Sequence, residues 1–128
     1  MDAGSAIYLI LEPDVVVAED LSDTISAGDP RAETHVVADI EAAGAALDGL
    51  PPVEAAVLNA RIADLERSGL AERIEGGGGM IVVLNGQEDP ADIARTGWQF
   101  VQRPFRADSV VSALATARTR MMPFRRSA

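Results

Sequence analysis

The sequence predicts a single α/β domain, a doubly wound (βα)5 sandwich in which a five-stranded parallel sheet lies between two layers of helices. Three observations predict it. Short, uncharged apolar runs recur along the chain and are apolar at consecutive positions, the mark of strands covered on both faces. Stretches with apolar residues every three or four positions alternate with those runs. The turns between them are punctuated by Gly and Pro, with no long Ser-rich or charged linker. A chain of 128 residues suits one cooperative core.

The elements follow in order. Ala6–Leu11 is bounded by Gly4-Ser5 and Glu12-Pro13 and reads as the first strand. Val17, Leu21 and Ile25 then form one apolar stripe of a helix. Thr34–Val37 is the second strand, and Ile40, Ala43, Gly44 and Leu47 mark the second helix. Val53–Leu58 is the third strand, followed by a looser helical stripe through Leu65, Gly69, Leu70 and Ile74. Met80–Leu84 is the fourth strand. A short helix follows it, with Asp89 as N-cap and Pro90 at the first helical position. Trp98–Val101 is the fifth strand, and Val110, Val111, Leu114, Ala117 and Met121 define the last helix. Right-handed crossovers between such units produce a mostly parallel sheet. The domain is expected to span residues 1–128, with a core over about 6–118 and the helix end and tail over 119–128.

Twenty acids against eleven bases, all of the bases Arg, leave a formal net charge of −9. A surface of that sign repels phosphate backbones and anionic lipid, so neither nucleic acid nor membrane is an expected partner. The local exception is Arg118, Arg120, Arg125 and Arg126. These read as a solvated helix end and tail, with docking to an acidic partner as the alternative. Cysteine is absent, which removes disulfides, thiolate catalysis and thiolate metal sites. No apolar run approaches the ~20 residues that span a bilayer, and a cytoplasmic location is expected.

Two features invite a chemical reading and do not sustain it. The run Gly76–Gly79 precedes a strand, whereas a phosphate-cradling glycine loop follows one and opens a helix, so the run is expected to end a helix. His35 is the only histidine and has no acid or serine at motif spacing, which favours a structural role. Without a visible nucleophile–base pair or metal constellation, the chain is not expected to be an enzyme.

In a doubly wound sheet, function gathers at the carboxyl ends of the strands. Here those ends carry Glu12-Pro13-Asp14, Asn59-Ala60-Arg61, Asn85-Gly86 and Arg103-Pro104-Phe105. The segment 9–21 (LILEPDVVVAEDL) resembles the first strand, acidic turn and first helix of a bacterial response regulator receiver domain. Residues 55–59 (AAVLN) resemble its third strand, 81–86 (IVVLNG) its fourth, and 98–105 (WQFVQRPF) its fifth with the basic-residue–Pro–Phe ending. The resemblance covers about residues 6–118 in consistent order. It implies the flavodoxin-like strand order 2-1-3-4-5 and a cis Arg103–Pro104 bond.

Receivers take a phosphoryl group from a histidine kinase onto an aspartate ending the third strand. Mg2+ is held by that aspartate and an acidic pair after the first strand. A hydroxyl ending the fourth strand and a lysine ending the fifth bind the phosphoryl oxygens. Matched position by position, this sequence departs from that set. The acceptor position is Asn59, whose amide has no ionisable oxygen nucleophile. The acidic pair is Glu12-Pro13, with Asp14 one position too late, so Glu12 is the one weak metal candidate and Mg2+ binding is expected to be weak or absent. The hydroxyl position is Asn85 and the lysine position is Arg103. The chain therefore resembles a pseudo-receiver, and no cofactor or catalytic residue is expected. Glu12, Asn59, Asn85 and Arg103 are expected to converge in a hydrogen-bonded cluster.

The implied function is a stand-alone receiver-like module of two-component, phosphorelay signalling that works by protein contact without phosphorylation. The implied partner is a histidine kinase or output protein. The alternative is a sensor of a small ligand or anion in the crevice at the strand ends. Phe100 matches the family's switch aromatic, and strand alternation puts Trp98 on the same side. Both lie at an expected sheet edge, where they either pack beneath the flanking helices or act as interface anchors, the latter for a partner or for a homodimer through the fourth helix, fifth strand and fifth helix.

Overall fold

The computed structural model describes residues 5–84, 88–101 and 107–121. Its elements run β1 (Ala6–Leu11), α1 (Val15–Gly28), β2 (Ala32–Val37), α2 (Ile40–Gly49), β3 (Ala55–Leu58), α3 (Ile62–Arg67), α4 (Leu70–Gly76), β4 (Met80–Val83), α5 (Pro90–Thr96), β5 (Gln99–Phe100) and α6 (Ala107–Met121). All strand pairs are parallel, in the order β2-β1-β3-β4-β5. The predicted fold class and strand order are those observed.

The uniformly apolar strands are buried on both faces. β1, β3 and β4 are buried at every position, and alternate residues supply two separate cores. Tyr8, Ile10, Val57 and Val82 meet Leu21 of α1 and Leu114 of α6 in the first core. Leu9, Leu11, Leu58 and Val83 meet Leu65, Leu70 and Ile74 in the second. Each such side chain contributes about 1.5–3 kcal/mol of burial, and truncating Leu58 to Ala would cost about 2–5 kcal/mol.

Several boundaries differ from the sequence reading, each for a local reason. The predicted third helix is two helices, because Gly69 adopts φ +79° and breaks the run after Ser68. β2 begins at Ala32 because the whole of β1 is available to pair with it, from Ala6 opposite Ala32. β3 begins at Ala55 rather than Val53, and β5 is the pair Gln99–Phe100. Hydrogen bonds from Leu84 N to Leu58 O and from Val101 N to Val83 O nonetheless carry the ladder one residue past β4 and β5.

The expected cap at Asp89 is present, its Oδ1 accepting from Ala91 N at 2.8 Å with Pro90 in the first turn. The glycine run does end a helix. Gly78 sits at φ +91°, and the N–H groups of Gly78 and Gly79 return to the carbonyls of Glu75 and Ile74. Among the described residues no helix is long and apolar enough to cross a membrane.

Candidate functional site

The carboxyl ends of β1 and β3 are held side by side by backbone bonds that outlast the strands. Glu12 N donates to Val37 O at 3.0 Å, and Asn59 N donates to Leu11 O at 2.8 Å. This places the two side chains in contact across 47 positions of sequence. Asn59 Nδ2 donates to Glu12 Oε1 at 2.9 Å, and Asp14 N donates to Glu12 Oε2 at 3.0 Å. Glu12 is only 5 % exposed and is the buried charged residue among those described. Both of its oxygens are therefore satisfied internally, as a buried carboxylate requires.

Asp14 does not complete an acidic pair. Its Oδ1 accepts from Val16 N at 2.9 Å and Val17 N at 3.3 Å, capping α1, so it is committed to the helix terminus. Pro13 lacks a side-chain ligand and separates the two acids. Among the described residues no group of three or more ligating side chains converges as a metal would require. Asn85, Arg103 and the Arg103–Pro104 bond lie outside the described residues, so the expected four-membered cluster is represented by its Glu12–Asn59 half.

A further carboxylate at this end of the sheet has no sequence signal. Glu88, just before α5, accepts from Ile62 N at 2.7 Å, and its Oε2 lies 4.0 Å from Arg61 Nε, with the Glu88 side chain 5 % exposed. The Glu88 carboxylate is thus engaged by the backbone at the start of α3 and lies near Arg61.

Trp98 and Phe100 both pack, half-buried, against the second core, on one side of the sheet as strand alternation predicts. The Trp98 Nε1 donates to Glu75 Oε2 at 3.0 Å, so the indole is anchored as well as packed. β5 is an edge of the sheet. Among the described residues, apolar exposure is greatest elsewhere. Val15 and Val16, at the start of α1, are 70 % and 74 % exposed, and Val36 on the opposite edge strand is 48 % exposed. Val15 and Val36 line a cleft of about 300 Å3 with Glu12 and Pro13. The uninterrupted Val15-Val16-Val17 run was the available signal, since three valines cannot all face the core from one helical turn.

At the opposite end of the sheet Arg118 is exposed yet tied down by side-chain bonds, while the Arg120 side chain, Arg125 and Arg126 lie outside the described residues. The Arg118 Nη2 donates to Tyr8 Oη at 3.1 Å and Glu54 Oε2 at 3.0 Å, while the Tyr8 hydroxyl donates to Asp29 Oδ2 at 3.0 Å. The spacing Val110, Leu114, Arg118 puts this arginine on the core-facing row of α6, a clue present in the sequence. Burial raises the Tyr8 hydroxyl pKa, assisted by Asp29 and Glu54 and opposed by Arg118. Despite its own desolvation, Asp29 is held below the usual carboxylate range by the Arg31 N–H, the Tyr8 hydroxyl and the charge of Arg31. His35 pairs with Glu33 two residues earlier on the same strand face, Nε2 to Oε2 at 2.7 Å.

Solved structures with this architecture now place the fold. A response regulator receiver protein from Sinorhizobium medicae superposes over 91 % of this chain and 96 % of its own, with a TM-score of 0.68 at 16 % identity. The chain has the receiver fold. SdrG from Sphingomonas melonis matches the receiver-like domain at 26 % identity, over 90 % of this chain and 97 % of its own, with a TM-score of 0.63. A structure of SdrG in a BeF3-activated conformation matches at 26 % identity with a TM-score of 0.62. A protein described as an adenylate cyclase from Rhodopirellula baltica matches at 13 % identity over 96 % and 94 % of the two chains, with a TM-score of 0.72. No family model matches the sequence, and no curated protein matches it.

Proposed function

We propose that this chain is a receiver-like module of two-component signalling, that it is not phosphorylated, and that it acts by protein contact rather than as an enzyme. The observation that carries the reading is the Asn59–Glu12 hydrogen bond of 2.9 Å. At the position matching the family's phospho-acceptor the chain presents an amide donor to a buried carboxylate. An amide offers no carboxylate oxygen to attack phosphorus, and its neutrality removes one of the charges that would hold a dication. Mg2+ accordingly binds weakly or not at all. The structural likeness to a response regulator receiver protein supports the signalling role, with a histidine kinase or an output protein as the partner class.

Contact as the working mode is supported by the exposed Val15, Val16 and Val36 beside Glu12-Pro13, and by the aromatic pair Trp98 and Phe100 at the β5 edge. Self-association through α5, β5 and α6 is one form such contact takes. Incubation with acetyl phosphate and Mg2+, followed by intact-mass measurement, tests the reading. The expected result is an unchanged mass, and a gain of one phosphoryl unit would refute the unphosphorylated mode while leaving the fold assignment intact.

A further inference from the structure

α5 is a helix that the apolar core does not hold. It spans the seven residues Pro90–Thr96, and none of them is buried. A helix of that length is far below the ~12–15 residues at which isolated helices become even marginal in water. Its internal devices are the Asp89 cap, Pro90 in the first turn and Gly97 in the left-handed region at the end. These define where it starts and stops but do not fix it to the domain.

We propose that α5 is docked onto α3 by two polar ties, and that these ties, in the unphosphorylated module described above, set the position of the α5–β5 face. The first tie is Glu88, whose carboxylate accepts from Ile62 N at 2.7 Å. The second is Arg95, whose Nη1 and Nη2 donate to Glu66 Oε2 and Oε1 at 2.8 and 3.1 Å. Their spacing is consistent. Ile62 N is a free N–H of the first turn of α3 and Glu66 lies in its last turn, while Glu88 and Arg95 bracket α5 at its two ends. The residue before the Asp89 cap is therefore tied to the start of α3, and the last turn of α5 to the last turn of α3.

The two ties differ in character. The fork-to-fork contact of Arg95 with Glu66 is directional but open to solvent, so salt screens it. The Glu88 carboxylate is nearly enclosed, so its bond responds little to salt. α5 thus has one salt-sensitive and one salt-insensitive fastening. A partner that engages the α5–β5 face with its own charges competes for the first and must carry the second along.

Hydrogen–deuterium exchange across residues 88–97 tests this in the wild type, R95A, E88A and the double variant. Each single change should raise exchange there several-fold and the double change by more than tenfold, with β1 and β3 still protected. Raising the salt to about 1 M should speed exchange of this segment in the wild type and leave R95A unaffected. Unchanged exchange in the double variant would overturn the proposal, as would an equal rise across β1 and β3. R95A alters only an exposed pair, so it keeps the test informative if E88A fails to fold. The acetyl phosphate experiment stands apart, because a phosphoryl gain would refute the unphosphorylated reading without touching the exchange result.

Discussion

Glu12 Oε1 and Asn59 Nδ2 lie 2.9 Å apart, joining the ends of β1 and β3 through a neutral donor and a buried carboxylate. The pairing is satisfied as it stands, which makes the chemical identity of residue 59 directly testable.

N59D replaces the donor by a second carboxylate about one hydrogen-bond length from Glu12. Repulsion and the lost bond should lower stability by about 1–3 kcal/mol in the absence of a divalent cation. Mg2+ should recover part of that loss in N59D, by binding the folded state, and leave the wild-type melting temperature unchanged. Thermal unfolding of both proteins with and without Mg2+ reads the difference, and equal responses would contradict the account of the site.

E12A leaves the Asn59 amide and the Asp14 N–H without the acceptor they share, at a cost of about 1–3 kcal/mol. E12Q should recover only part of this, since one of its two terminal atoms is a donor facing a donor. The order of urea midpoints should be wild type, E12Q, E12A.

The Tyr8 network makes stability fall at both ends of the pH scale. Asp29 titrates below its unfolded value, so its contribution is present above the ordinary carboxylate pKa and is lost as pH falls through the folded one. Tyr8 titrates above its unfolded value, so its contribution is complete below about pH 10 and is lost as pH rises through the folded pKa. Y8F removes the hydroxyl bonded to Asp29 and Arg118, should cost about 1–2 kcal/mol at neutral pH, and should flatten the alkaline limb of the stability curve. Denaturant titrations between pH 7 and 11 measure that limb.

The four glycines are not equivalent. A Cβ at Gly79 would meet Val53 O at 2.8 Å and Ile74 Cγ2 at 2.9 Å, so G79A should destabilise by about 1–3 kcal/mol. At Gly76, inside α4, a Cβ meets nothing within 4 Å, and G76A should be neutral or stabilising by up to about 1 kcal/mol. The urea midpoint of G79A should fall, and that of G76A should hold or rise.

The sequence by itself determined the sheet, because buried parallel strands announce themselves as consecutive apolar residues and their crossovers as a 3.6-residue stripe, both local patterns. It also identified Asp89 as a cap and the glycine run as a helix stop. It missed the break at Gly69, where one residue's positive φ outweighs a continuous apolar stripe. Only the tertiary structure decided which polar groups meet. Asn59 found Glu12 across 47 positions, Arg118 found Tyr8 across 110, and Glu88 found the Ile62 amide across 26. A hydrogen bond depends on distances of a few tenths of an ångström that the packed sheet sets, and no periodicity along the chain encodes them.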